Sequence, residues 1–325
     1  MKSPSRKKFN GISMPGFKAD ASIYKNHEHY EQYKVIGVFA PSELMSKSAY
    51  SYSREYHWTN KLFVEHLEIF LPALESRKEK ALRDVEGLCK IFTEFRAPQE
   101  AKILDLSCGI GRHSIPLVKK GHQVVGYDLS PLYIDRAKQL AKKKYEEEGL
   151  NLKKIRFYQG DSRDAAQVLS SKREIGFNII ISMFSSIGYF GEEEDFRMFK
   201  DLLNIASHNC ILVIETQNRD QLMRITDPFE TFSAEKGFET HQISRFNIEN
   251  SYIQEELKLY KRMPDNSLKL MYSLPATYRV YSLHELKKII NKAGWRYLKA
   301  YGNLDTLEPF TFKSESIILV AQRSN

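Results

Sequence analysis

From residue 101 to residue 216 the chain alternates, with little interruption, between short apolar runs and longer amphipathic stretches. The runs are KILDLS, HQVVGYD, KIRFYQG, FNIIISM and CILVIET, and the intervening segments at 114–120, 132–147, 165–169 and 193–206 read as helices. Strands that are apolar along nearly their whole length must be covered on both faces. Joined through helices, they form a parallel sheet with helices on each side. This predicts a doubly wound, Rossmann-like α/β domain and excludes a β-sandwich or a helical bundle.

The rhythm breaks after strand five. Between 218 and 281 no long helix is expected, and three runs of mixed alternation at 238–248, 252–263 and 268–280 are separated by Glu249-Asn250 and Asp265-Asn266. An antiparallel β-meander inserted as a lid fits this pattern. A helix at 283–293 follows, with Ser282 and Glu285 spaced as a capping box and Gly294 at its end. WRYLKAYG and SIILVAQR complete the sheet, the last strand antiparallel. The expected organisation is an N-terminal extension at 1–57, a ligand-binding α/β domain made of 58–217 and 282–325, and the lid at 218–281.

Upstream of the alternation, residues 1–55 are polar and turn-rich, with one strand-like run at 33–39 and an aromatic cluster of Tyr50, Tyr52, Tyr56 and Trp58. Two helices are expected next. In the second, Leu82, Val85, Cys89, Phe92 and Phe95 recur at helical spacing, predicting one buried face, and Pro98 closes it. The basic opening lacks the apolar middle of a secretory signal, and no run is long enough to cross a membrane, so a cytoplasmic protein without a membrane partner is expected. Cys89, Cys108 and Cys210 show neither disulfide nor zinc spacing, and no metal is expected. Cys108 reads as a small buried filler. The net charge of +8 invites a nucleic-acid partner, but the densest basic run, Lys142 to Lys144, lies beside Glu146 to Glu148 on one helix, the pattern of a solvated face.

The turn after the first strand, ILDLSCGIGRHS, carries Gly109 and Gly111 and lacks the third glycine of a dinucleotide fingerprint, with Ser114 in its place. Asp105 stands before the turn, where its charge repels a pyrophosphate and suits a cationic amino group. Asp128 ends the second strand, where a carboxylate accepts hydrogen bonds from ribose hydroxyls. Asp161 ends the third, near the position of an adenine amino group. Three acids and one glycine turn describe a pocket for an adenosyl group attached to a zwitterion.

D-L-S-C-G-I-G-R-H, V-G-Y-D-L-S, Q-G-D-S-R-D and M-F-S-S-I-G-Y-F resemble the successive motifs of class I S-adenosylmethionine-dependent methyltransferases over residues 80–323. Within that superfamily the chain is similar to the small-molecule branch of glycine/sarcosine-type and amino-sugar N-methyltransferases, which carry an inserted lid. YGNLDTLEPFTFKSESIILVA resembles the end of that branch, although Asn303 stands where an acid is often found. The resemblance implies S-adenosyl-L-methionine as cofactor, with Asp105, Ser107, Gly109 and Gly111 flanking its methionine part. It implies Asp128 and Leu129 at the ribose, Asp161 and Ser162 at the adenine, and Met183, Phe184 and Ser185 bordering the methyl.

Arg112 reads equally as a solvated side chain and as a contact to the cofactor carboxylate, and Glu192 to Glu194 as a helix cap or as acids meeting a cationic substrate. The implied acceptor is a small molecule, most simply an amine. If a base is used, the candidates are Tyr189, Glu215, His241 and Tyr278, and lid aromatics such as Tyr272 and Tyr278 are expected to line the pocket. Three other readings remain open: an RNA methyltransferase, a protein methyltransferase, or a non-catalytic adenosylmethionine-binding partner subunit. The Pro-Pro motif of exocyclic-amine enzymes is replaced by Met183-Phe184-Ser185-Ser186.

Overall fold

The computed structural model describes residues 57–224, 228–235 and 237–324. The expected strand at 33–39 and Tyr50, Tyr52 and Tyr56 lie outside them. The described chain opens with α1 (Trp58–Asn60), a π-helical turn at Lys61–Glu65, α2 (Leu67–Ser76) and α3 (Lys78–Glu94). It continues as β1 (Lys102–Leu106), α4 (Ser114–Lys119), β2 (Gln123–Asp128), α5 (Pro131–Glu148), β3 (Ile155–Gln159), α6 (Ala165–Ser171), β4 (Phe177–Ser182), α7 (Glu192–Leu202) and β5 (Ala206–Gln217). After α8 (Arg219–Leu222) come β6 (Phe229–Glu235), β7 (Phe238–Asn247), β8 (Tyr252–Arg262) and β9 (Leu268–Arg279), and then α9 (Leu283–Lys292), β10 (Trp295–Tyr301) and β11 (Ser316–Arg323).

The main sheet has seven strands in the order β10-β11-β5-β4-β1-β2-β3. β1 to β5 are parallel, and β11 runs antiparallel to both β5 and β10. The strands are apolar throughout because each face has its own cover. Ile179 and Ile181 of β4 pack with Val85, Leu88 and Ile91 of α3, whereas Ile180 between them packs with Phe199 of α7 and Ile289 of α9. α5 begins at Pro131 behind an Ser130 cap and ends at Gly149, whose φ of 70° suits a left-handed residue. Its Lys142, Lys143 and Lys144 pair along the helix with Glu146, Glu147 and Glu148, which consumes the basic run on its own surface.

Three sequence expectations need correction. The buried face of α3 is Ala81, Val85, Leu88, Ile91 and Phe92, with Leu82 53% exposed; Cys89 and Phe95 flank that face, and the helix stops at Glu94, ahead of Pro98. The helix expected at 193–206 ends at Leu202, and β5 starts at Ala206, its register slipping between Phe177 and Ile179 of β4 before it settles. The meander has four strands in the order β6-β7-β8-β9, because Phe229–Glu235 adds a strand to the expected three.

Both ends of the inserted segment meet at the main sheet, where Asn218 and Tyr281 form an isolated bridge. Asn218 is buried there and its amide donates to the Ser314 carbonyl at 2.8 Å. α9 has the expected capping box: the Ser282 hydroxyl accepts from Glu285 N–H, and the Glu285 carboxylate accepts from Ser282 N–H. On its inner side the lid sheet meets the N-terminal helices, with Leu257, Leu259 and Leu274 closing on Leu62. The Trp58 indole donates to the Thr277 carbonyl at 3.1 Å, fixing α1 to β9.

Candidate functional site

The sheet order reverses between β1 and β4. The connection leaving β1 goes to α4 on one face, and that leaving β4 goes to α7 on the other. The two loops therefore diverge and leave a crevice beyond the carboxyl ends of the strands, the ligand position in open α/β sheets. A cavity occupies it. Ser107, Cys108, Gly109, Arg112 and His113 form one wall, and Met183, Phe184, Ser186, Tyr189 and Phe190 form another.

The glycine turn has φ values of 60° at Ser107, 54° at Gly109 and 76° at Gly111. Gly109 exposes its backbone to the cavity. Gly111 serves packing instead: a Cβ there would stand 3.1 Å from the Phe157 ring and 3.3 Å from Ala137. It thus brings the turn close to β3 and α5, and it does not line the cavity.

Asp105, expected to flank the methionine part of the cofactor, also stands off the cavity wall. It is 1% exposed, and its carboxylate accepts the Ser114 hydroxyl at 2.5 Å. Burial raises its pKa, against the opposing pull of His113, Ser114 and Arg112. Asp128 is on the wall. Its two oxygens accept Gly109 N–H at 2.7 Å and Ser130 N–H at 2.9 Å, and burial brings its pKa up to about 6. A carboxylate has about four lone-pair sites. Two acceptor positions therefore remain for a vicinal diol.

Leu129, Asp161 and Ser162 continue the same wall. The Asp161 carboxylate holds Arg163 through Nε at 3.0 Å, and the guanidinium stacks 3.7 Å over Phe190. At the other end, Phe184 and Ser185 have φ values of 61° and 56°, a conformation that bulky side chains avoid and that concentrates at functional sites. The guanidinium groups of Arg77 and Arg112 stand 4.4 and 5.2 Å from the centre of the Phe184 ring. Glu215 supports that loop by accepting Phe184 N–H at 3.2 Å, with Lys80 at 3.7 Å. It is not on the cavity wall, and neither is Ser185, whose hydroxyl accepts Gln217 N–H.

Behind Arg112 and His113 lies a buried charge network. Lys80 donates to Asp84 at 2.9 Å, and His113 stands 3.6 Å from the same carboxylate. Burial works against the charge on Lys80, but Glu215 and Asp84 outweigh it and carry its pKa up. Burial likewise opposes ionisation of Asp84, and His113 and Lys80 reverse the sign.

Of the candidate bases, only Tyr189 reaches the wall. His241 lies on the β6–β7 hairpin, stacked 4.2 Å from Phe232 and 3.3 Å from Glu230. Tyr278 and Tyr272 belong to the layer behind the wall, Tyr272 against His66 and Tyr278 donating to Glu255 at 3.3 Å. Burial pushes the hydroxyl of Tyr189 above its ordinary range, with Asp128 and Glu255 adding to the shift. Burial, with Asp105 and Asp128, also pushes the Cys108 thiol well up, so it is held neutral. Glu192 to Glu194 start α7 and pair with Arg197 and Arg279.

Sequence reasoning missed the roof of the cavity, Thr59, Phe63, Phe70 and Leu74. The seven- and four-residue steps from Phe63 to Phe70 to Leu74 carried the signal. It also missed Tyr127, a wall residue whose buried hydroxyl has no hydrogen-bond partner among the described residues.

The strand order, the switch-point cavity and the carboxylate at the end of β2 are those of the class I methyltransferase fold. Residues 103–208 match the family described as Methyltransferase domain. Among solved structures it is similar to an S-adenosylmethionine-dependent methyltransferase from Clostridium acetobutylicum, at 14% identity and a TM-score of 0.61 over 75% of this chain and 92% of that one. The sugar N-methyltransferase KedS8 from Streptoalloteichus is similar at 15% identity and 0.59, over 90% and 100%. A tRNA 5-carboxymethoxyuridine methyltransferase of Escherichia coli is 47% identical over 59 residues, 18% of this chain and 22% of its own. The chain spans between 16% and 52% of the length of the curated relatives it matches.

S-adenosyl-L-methionine is the cofactor of this class, and the donors and acceptors present fit it. Asp128 retains acceptor positions for ribose hydroxyls, the Tyr127 hydroxyl is unspent, and Arg112 offers a cation for a carboxylate at the glycine turn.

Proposed function

We propose that this chain methylates an amine nitrogen of a small-molecule acceptor held beneath the lid. The observation that carries this reading is the roof: Thr59, Phe63, Phe70 and Leu74 cover the cavity, and the lid sheet closes on that roof through Leu62 and the Trp58–Thr277 hydrogen bond. A covered, aromatic-walled crevice suits a metabolite, whereas a polynucleotide requires an open basic groove.

When bound, S-adenosylmethionine supplies a methyl group already activated on a sulfonium. What the protein must add is position and dryness, which are worth up to ~7–11 kcal/mol in well-oriented cases. Asp128 holds the nucleoside end, Arg112 meets the carboxylate end, and Phe184 borders the reacting end. The roof and Tyr189 keep water from the acceptor. An amine must arrive neutral to attack, so no strong base has to be built into the wall.

The test is a methyl-transfer assay on small amines, RNA and DNA across a salt series. Transfer to amines with little salt dependence supports the reading. Robust transfer to a polynucleotide with steep salt inhibition overturns it in favour of the RNA reading, for which the short match to a tRNA methyltransferase is the specific observation.

A further inference from the structure

One carboxylate of the lid, Glu255, stands off the cavity wall. β8 is a central strand, flanked by β7 and β9, and the row Ile253, Glu255, Leu257 and Leu259 projects from one of its faces. Ile253, Leu257 and Leu259 are buried, at 0%, 4% and 2% exposure. Glu255 stands half-buried in the same row, where an aliphatic residue would pack at no electrostatic cost. Its neighbours supply only neutral donors: Gln242 at 2.9 Å, Tyr278 at 3.3 Å and Ser244 at 3.4 Å. Among the described residues no Lys, Arg or His forms an ion pair with it. An ionised carboxylate sheltered in this way is expensive unless a cation joins it.

The rings around it are arranged to receive a cation. Tyr278, bonded to Glu255, lies 6.2 Å from Trp58, and Trp58 meets Tyr189 edge-on at 5.0 Å. Tyr189 and Phe63, 6.0 Å apart, are both on the cavity wall. A series of ring contacts thus links the cavity wall to the residue that bonds the carboxylate, Glu255 and Tyr278 standing one layer behind that wall. Aromatic faces beside one acidic group are the chemistry that recognises an ammonium ion.

We infer that Glu255, with Tyr278, Trp58 and Tyr189, forms an acceptor subsite that binds a cationic amine group of the substrate. This rests on the small-amine reading above and names the residue that selects for it. Glu255, on β8 of the lid, is the specificity-determining group of that subsite.

The test titrates cyclohexylamine, cationic at neutral pH, and neutral cyclohexanol into full-length protein loaded with S-adenosylhomocysteine. The wild type is expected to favour the amine about tenfold or more. Glu255→Gln should abolish that preference while leaving S-adenosylhomocysteine affinity unchanged, and Tyr278→Phe should reduce it in a protein of native melting temperature. A wild type that does not prefer the amine, or a Glu255→Gln protein that still does, overturns the subsite. Failure to bind S-adenosylhomocysteine would instead overturn the methyltransferase reading beneath it.

Discussion

The Asp195 carboxylate in α7 accepts the Tyr281 hydroxyl at 2.6 Å and the Gly188 N–H at 2.8 Å. Tyr281 is the point where the lid rejoins the sheet, and Gly188 immediately precedes Tyr189 of the cavity wall. One buried acid therefore ties the stem of the lid to the loop that forms the site. Burial is the dominant influence on it and raises its pKa to about 7 from an ordinary 3.8, against the two hydrogen bonds.

That shift has a defined sign. A carboxyl group whose folded-state pKa is raised favours the folded state while it is protonated, and this contribution is lost as pH rises from about 4 to about 7. Asp195→Asn keeps an acceptor and cannot ionise. Its stability relative to wild type should climb across that window, on the order of a few kcal/mol. Chemical denaturation at several pH values measures it, and parallel pH profiles for the two proteins would contradict the assignment.

Gly188 has a φ of 86°, and its carbonyl accepts Arg279 N–H at 2.8 Å. A Cβ at this position would overlap the Arg279 carbonyl oxygen, the backbone at the end of β9. Gly188→Ala should cost at least ~1–2 kcal/mol from the left-handed conformation alone. Because the overlap moves the neighbouring Tyr189, cofactor affinity should fall as well. A variant with native stability and affinity would mean that the β4 loop and the lid stem are not in this contact in solution.

Asp128 links pH to cofactor binding. Its carboxylate accepts best when ionised, and burial holds its pKa near 6. The affinity for S-adenosylhomocysteine should therefore weaken as pH falls through about 6. Asp128→Ala should lose ~1.5–3 kcal/mol for each ribose hydrogen bond removed. Calorimetric titration between pH 5 and 8 reads both effects, and a flat profile in the wild type would exclude the carboxylate as the ribose acceptor.

The parallel sheet was legible because burial on both faces leaves a simple trace: Ile179, Ile180 and Ile181 are contiguous and apolar, yet they serve different layers. Asp128 was legible because the end of a strand at a switch point fixes where its side chain can act. The hydrogen bond from Ser114 to Asp105 was not, because the same argument does not say which side of the turn a carboxylate faces. Glu255 was invisible for a different reason. Each of the two acids in IQEELKL looks like an exposed position, and only the pairing of β8 with β7 and β9 shows that the row of Glu255 points inward. The steps from Phe63 to Phe70 to Leu74 mark an apolar face, but that this face roofs the cavity depends on contacts between segments far apart in sequence.

The junction between lid and roof is small, and that predicts how it opens. Leu62, Leu257, Leu259 and Leu274 form a cluster separate from the two large cores of the main sheet. A satellite cluster of this kind can open without unfolding the domain that carries it. Leu257→Ala removes a side chain that is 4% exposed and should cost ~2–5 kcal/mol, borne by the lid. Hydrogen exchange should then accelerate across β6 to β9 and α1, while β1, β4 and β5 keep their protection. Cofactor affinity should fall less than acceptor affinity, because Asp128 and the glycine turn belong to the main domain. Uniform loss of protection across both sheets would show that lid and core unfold as one unit, and enclosure of the acceptor would then be a fixed property of the fold.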